Sequence, residues 1–135
     1  MRRYLLDTGI AGDYINDRND VVEKANQRTI RGDQVGICVP VLGELYYGAE
    51  FSNSRPENLK RLRYAVSTLR IWPYTEEAAA EFGRLRAELR RMGRPMQPID
   101  IQIAAIALTL GRCTIVTTDS DLNAIPGLKV ENWAS

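Results

Sequence analysis

Four acidic side chains stand where ordinary solvated charge is out of place. Asp7 closes the apolar run of LLDTGI. Glu44 sits in VLGELYYG, with Val41 three residues before it and Gly48 four after it on one helical face. Asp100 heads the apolar stretch DIQIAAIALTL, two residues after Pro98, and Asp119 follows CTIVT in TTDSD with Asp121 beside it. Singly, each has a plain role: a charge near a helix start for Glu44, an N-cap for Asp100, a turn or cap for TTDSD. Jointly they come from two strand ends and two helices, with no basic residue adjacent in sequence to neutralise them. Carboxylates that converge must raise some of their pKa values or recruit a cation. Carboxylates and water are the ligand set that Mg²⁺ and Mn²⁺ prefer. The chain has no histidine. That removes Ser-His-Asp and Cys-His catalysis, histidine general bases and histidine ligands, and leaves metal-activated water as the natural nucleophile.

The elements that must carry these groups are legible from periodicity. RYLL (3–6) reads as a short buried strand, followed by helices over about 10–16 and 20–31, the second capped by Asp20. VGICV (35–39) is a strand, and Pro40 suits the first turn of the helix that holds Glu44. ENLKRLRYAVSTLR (57–70) places Leu59, Leu62, Val66 and Leu69 at helical spacing, and IWPY is a short strand or an extended link. EEAAAEFGRLRAELRRM (76–92) is the longest helix, acids leading and bases trailing, and Gly93 ends it. The helix from Pro98 is apolar nearly all round and belongs in the middle of a domain. CTIVT (113–117) is a strand, and LKVENW closes as an edge strand. Short strands alternating with helices predict an α/β sandwich around a short, mostly parallel sheet, formed by residues 1–135 as one domain.

The totals bound the function. A chain of 135 residues, 44% hydrophobic and 26% charged, is of globular composition. Its net charge of +1 does not by itself demand nucleic acid. Arginine nevertheless greatly outnumbers lysine, and RLRAELRRMGR (84–94) holds five arginines and one glutamate. Cys38 and Cys113 lie in β-like apolar runs, as buried free thiols of a reducing compartment do. No apolar run reaches membrane-spanning length, so a soluble, cytoplasmic protein without membrane association is expected. Asp7-Thr8-Gly9 also matches half an aspartic protease site, but those enzymes are nearly all β and share one proton across two such loops. More than half of this chain reads as helix, which sets that reading aside.

With these residues in view, the sequence resembles the PIN-domain ribonucleases, specifically the VapC-type toxins of bacterial toxin–antitoxin pairs. LLDTGI is similar to the family's opening LLDTN-hydrophobic motif, and VPVLGELYYGAE to its glutamate-bearing helix. GRPMQPIDIQIAAIAL resembles the Gly-x-Pro-x-x-x-x-Asp-x-x-Ile-Ala-Ala segment, and IVTTDSDLNAIPGLKVENW the family's ending. The resemblance covers essentially the whole chain and implies a PIN-like three-layer α/β/α sandwich. It assigns Asp7, Glu44 and Asp100 to the three core acidic positions, Asp119 to a more variable fourth, and Asp121 to a secondary position reaching the metal through water. Thr8, with Thr117 or Thr118, would supply supporting hydroxyls. Gly9 departs from the family's usual Asn or Ser and removes a side chain that would support Asp7.

The activity implied is Mg²⁺- or Mn²⁺-dependent endonucleolytic hydrolysis of RNA, leaving a 5′-phosphate and a 3′-hydroxyl. Arg84, Arg86, Arg90, Arg91, Arg94 and Arg112 would guide the RNA backbone. The implied substrate is a structured RNA such as tRNA, closest to members that act on initiator tRNA. The implied partners are a VapB-type antitoxin and a second copy of the chain, with Leu45, Tyr46, Tyr47 and Phe51 as antitoxin groove or dimer seam, or as plain core. The competing reading, motivated by Gly9, is a PIN-like module that binds RNA or a partner without cutting.

Overall fold

In the computed structural model, which describes residues 1–134, the strands form one five-stranded sheet. They are β1 (Arg3–Leu6), β2 (Gln34–Cys38), β3 (Arg70–Trp72), β4 (Cys113–Val116) and β5 (Lys129–Glu131), in spatial order β3-β2-β1-β4-β5. Every pairing is parallel, so the expected mostly parallel sheet is wholly so. Of IWPY, Ile71 and Trp72 join Arg70 in the edge strand β3, while Pro73 and Tyr74 leave it as an extended link. The helices are α1 (Thr8–Ile15), α2 (Val21–Ile30), α3 (Val39–Glu50), α4 (Arg55–Ser67), α5 (Glu76–Arg91) and α6 (Pro98–Leu110).

Parallel neighbours need crossover connections, and such crossovers are right-handed. The path from β1 through β2 to β3 runs one way across the sheet, and the path from β3 to β4 and β5 runs the other. That reversal puts α1–α4 on one face and α5–α6 on the opposite face, giving three layers. β1 and β4 lie side by side in the middle, and four of the five β1–β4 residues Leu5, Leu6, Cys113, Ile115 and Val116 are wholly inaccessible. Burial of a leucine such as Leu5 is worth about 1.5–3 kcal/mol. Helix α6 buries Ile101, Ile103, Ala104, Ala105, Ile106 and Ala107 against α5 and β4, as its all-round apolar sequence required.

Two helix starts differ from expectation. Helix α1 begins at Thr8 rather than Ile10, because Asp7 itself is its N-cap: Asp7 Oδ1 accepts from the Ile10 N–H at 2.8 Å. Asp20 occupies the cap position of α2 but makes no capping bond. Its backbone is left-handed (φ 59°), like that of Asp17 and Asn19 just before it, which turns the side chain away from the first amides. No helix among the described residues is long and apolar enough to cross a membrane.

The chain's end is tied down. Arg28 on α2 lies over the rings of both Tyr4 and Trp133, 5.4 Å from each centroid. Its Nε has no conventional partner and faces this aromatic surroundings, while Nη2 donates to Glu131 Oε1 at 3.4 Å. The same Glu131 oxygen accepts from Trp133 Nε1, and Lys24 Nζ donates to the Trp133 carbonyl at 2.7 Å.

Candidate active site

Asp7 and Thr117 stand at the carboxyl ends of β1 and β4, where connections leave the sheet in opposite directions. Such a switch point opens a crevice between the layers, the usual place for a ligand in an open parallel sheet. Asp7 is held on both oxygens: Oδ1 by the Ile10 amide and Oδ2 by the Thr117 hydroxyl, which donates at 2.5 Å. Thr117 is 2% exposed, and its Oγ1 also accepts from the Asp119 N–H at 3.0 Å. One buried hydroxyl thus ties the first strand's carboxylate to the loop that carries the later ones. Asp119 Oδ1 in turn accepts from the Asp121 N–H, capping the 3-10 turn Ser120–Ala124, so its expected turn-cap role is real and coexists with its place at the site.

Asp100 reaches the same crevice from the first turn of α6, but it is not that helix's cap. Gln97 occupies the cap position, and the Asp100 carboxylate has no hydrogen-bond partner among the described residues. Burial raises the proton affinity of Asp100, and the charges of Asp119, Asp7 and Asp121 raise it further. Burial likewise raises Asp7, opposed by its bonds from Thr117 and Ile10 and reinforced by the charges of Asp119 and Asp13. Four of the predicted carboxylates therefore feel one another. The arrangement also brings in Asp13 on α1, which the sequence reading passed over. Its signal was available: it lies two turns into a helix that Asp7 caps.

Glu44 is not among the charges that act on Asp7 or Asp100. Its exposed side chain lines a neighbouring groove of about 290 Å³ together with Thr8, Leu45, Gly48 and Arg61. Helix α3 packs against both α1 and α6, and Thr8, next to Asp7, is the residue this groove shares with the crevice wall.

The sequence pattern of the family described as "PIN domain" matches residues 4–128. The chain belongs to the PIN-domain family. It is 32% identical over 136 residues to the tRNA(fMet)-specific endonuclease VapC of Salmonella typhimurium strain LT2, spanning 98% of this chain and 99% of that protein. Among solved structures it is similar to VapBC2 from Rickettsia felis bound to a DNA fragment from its promoter, with a TM-score of 0.90, 28% identity and coverage of 97% and 98% of the two chains. It is also similar to DNA-bound VapBC from Salmonella typhimurium, at a TM-score of 0.88 and 33% identity over 98% and 99%. This PIN domain is of the VapC kind, a toxin endoribonuclease.

PIN-domain ribonucleases generally depend on a divalent metal, and the donor set here fits one. None of the ion pairs among the described residues uses Asp7, Glu44, Asp100, Asp119 or Asp121, so their mutual repulsion is unmet by any side-chain cation. No three carboxylates among the described residues converge into a ready-made cage. A small hard cation keeps several waters and takes one or two carboxylates plus substrate phosphate, so it does not require a full cage from the protein.

The structure sorts the remaining candidates in this PIN domain. Of the three candidate hydroxyls, Thr117 is the one that donates to a predicted carboxylate, Asp7. Thr118, one residue on, is exposed, and Thr8 lines the groove without bonding a carboxylate, because successive residues leaving a strand point to opposite sides. Arg112 does not belong with the other arginines. It precedes β4 and so lies at the amino end of the sheet, in a depression with Arg2, Arg31 and Asp33, opposite the carboxylates. Arg84 is engaged by Glu81 and Glu88 on its own helix. Arg86, Arg90 and Arg94 line cavities beside the site.

Proposed function

We propose that Asp7 and Asp100, with Glu44, Asp119 and Asp121 around them, hold Mg²⁺ or Mn²⁺ and hydrolyse RNA phosphodiesters, with tRNA as the substrate class. The observation that carries this reading is the meeting of the half-buried Asp7 and Asp100 with neighbouring acids at the switch point of the sheet, with no ion-pair partner among the described residues. A bound divalent ion lowers the pKa of an attacking water and neutralises charge on the phosphate. Thr117 and the Ile10 amide hold Asp7 by one bond to each oxygen, which leaves each oxygen a further lone pair for an ion. Asp100, the carboxylate with no hydrogen bond of its own, would keep its oxygens free for the ion and for the attacking water. The water oxygen bonds to phosphorus in line as the P–O3′ bond breaks, the water's proton passes to solvent and the departing O3′ takes a proton from solvent, leaving a 5′-phosphate and a 3′-hydroxyl.

The tRNA(fMet) endonuclease named above supports tRNA, and initiator tRNA within that class. The VapBC structures support a VapB-type antitoxin as partner. Tyr47 and Phe51, 64% and 80% exposed with their rings stacked at 5.9 Å, supply apolar surface for that antitoxin or for a homodimer seam. Leu45 and Tyr46 are half-buried and pack against core, so they serve chiefly as core. Buried free Cys38 and Cys113, with thiols pushed up to about 11 and about 12 by burial, suit a reducing cytoplasm. The reading as a non-cutting module loses its motive. Gly9 leaves both anchors of Asp7 intact, and a Cβ there would meet only Asp7 Oδ1, at an ordinary 3.7 Å.

The test is cleavage of total tRNA with Mg²⁺ or Mn²⁺ by the wild-type chain and by Asp7→Asn and Asp100→Asn. Loss of cleavage by at least about a hundredfold in both variants is expected. Equal cleavage by all three proteins overturns the proposal.

A further inference from the structure

Two cavities flank Met96 in the loop between α5 and α6. One, of about 360 Å³, is lined by Arg86, Leu89, Arg90 and Ile101, the residue after Asp100. The other, of about 370 Å³, is lined by Leu89, Arg94, Ser120 and Asp121. Both share Leu89, Pro95 and Met96 as floor and dividing wall. The apolar floor therefore runs from the foot of α5 to the edge of the acidic crevice, with exposed arginines around it.

These arginines are not equivalent to the others on the helix. Arg84 is saturated by Glu81 and Glu88, at 2.8 Å for the latter, and points its charge into its own helix face. Arg90 and Arg94 have no carboxylate partner among the described residues. Arg86 is laid over the Phe82 ring, 5.9 Å from its centroid, which orders the guanidinium without neutralising it. Unneutralised guanidinium groups around an apolar slot next to repelling carboxylates match a polyanion that also carries flat apolar faces. Single-stranded RNA has both features, and its unstacked bases are bound by stacking on apolar side chains and guanidinium planes.

We propose that the slot around Met96 is a subsite for the nucleotides flanking the scissile phosphate. An unstacked base rests on Pro95 and Met96, backed by the buried Leu89, Arg90 and Arg94 hold the adjoining phosphates, Arg86 supports the base edge or phosphate beside them, and Arg84 takes no part. This rests on the ribonuclease reading and deepens it by naming the residues that hold the nucleotides on either side of the cut.

The experiment measures binding of a short, fluorescently labelled single-stranded RNA to the full chain in an Asp7→Asn background with Mg²⁺, so that no cleavage intervenes. Arg90→Gln and Arg94→Gln should each weaken binding about five- to tenfold and lower the salt slope by about 1, while Arg84→Gln stays within about twofold. Met96→Ala should weaken binding of the intact RNA about fivefold. A set of RNAs with one abasic position each should contain one that Met96→Ala leaves unaffected. Equal effects of Arg84→Gln and Arg94→Gln reduce the surface to diffuse charge and overturn the proposal. Equal weakening of every abasic RNA by Met96→Ala removes the base slot, and unchanged RNA affinity in the arginine variants assigns the surface to a protein partner instead. Binding that follows the expected pattern without cleavage by the wild-type chain keeps the subsite and removes the ribonuclease reading. Cleavage lost in Asp7→Asn with unaltered binding in the arginine variants does the reverse.

Discussion

The acidic residues work against the fold that holds them. Because burial and neighbouring charge raise Asp100 above its ordinary 3.8, the folded chain holds more protons than the unfolded chain between that value and the raised one. Stability therefore falls as pH rises through that window, and the cost is full at neutral pH. Asp100→Asn should raise the melting temperature at neutral pH by on the order of 2 °C, a figure discounted for the half-exposed setting of the group. The gain should vanish in acid, below the carboxylate range, and turn into a deficit when divalent metal is added, which calorimetric scans across pH would show. A raise that persists unchanged in acid would mean the effect is not electrostatic. Thr117 acts by a different route. Thr117→Val keeps the volume but leaves Asp7 Oδ2 and the Asp119 N–H without their shared partner. The metal concentration for half-maximal cleavage should rise about tenfold, and Thr117→Ser should restore it, since the hydroxyl is the part in use.

At the scale of elements, the site depends on strands being placed side by side without error. Gly36 in β2 pairs with Arg70 in β3, and a Cβ at this position would collide with the Arg70 carbonyl. Backbone cannot retreat as a flexible side chain can, so β3 must shift or detach. Gly36→Ala should cost about 1–3 kcal/mol in urea denaturation, with amide exchange accelerated first along Arg70–Trp72. A variant as stable as the parent would show that the β2–β3 edge is looser than its register implies. The carboxylates at β1 and β4, on the far side of β2, should keep their metal dependence in this variant.

For the molecule as a whole, the C-terminal segment completes the site from a distance. The Thr117 N–H donates to the Glu131 carbonyl at 2.9 Å, so β5 steadies the residue that steadies Asp7. Trp133, 2% exposed, pins β5 through Tyr4, Arg28 and Lys24. Trp133→Ala should cost about 3–5 kcal/mol of stability. At a temperature where the variant remains folded, cleavage should fall together with faster hydrogen exchange at the Thr117 amide. Full activity with a fast-exchanging Thr117 would break the link between tail and site.

Much of this protein was determined by sequence alone. Apolar runs of strand length alternating with long amphipathic helices fix an α/β fold, because each pattern buries one kind of surface. The absence of histidine beside acids at Asp7, Glu44, Asp100 and Asp119 restricts the chemistry to metal and water. Local signals failed where a residue's role depends on something distant. Asp20 has the right type and position for a cap, but a left-handed backbone disarms it. Thr117 and Thr118 are equivalent in sequence, and only the pairing of β4 with β1 selects the first. Arg112 and Arg94 are both arginines beside glycine, yet Arg112 precedes β4 at the amino end of the sheet while Arg94, in the loop before α6, lines a cavity with Asp121. Helical periodicity could not tell Arg84, quenched by Glu81 and Glu88, from the free arginines beyond it. Sequence carries what each residue can do; which groups meet is decided by the order of strands, since that alone brings residues more than a hundred positions apart, such as Asp7 and Thr117, into one hydrogen bond.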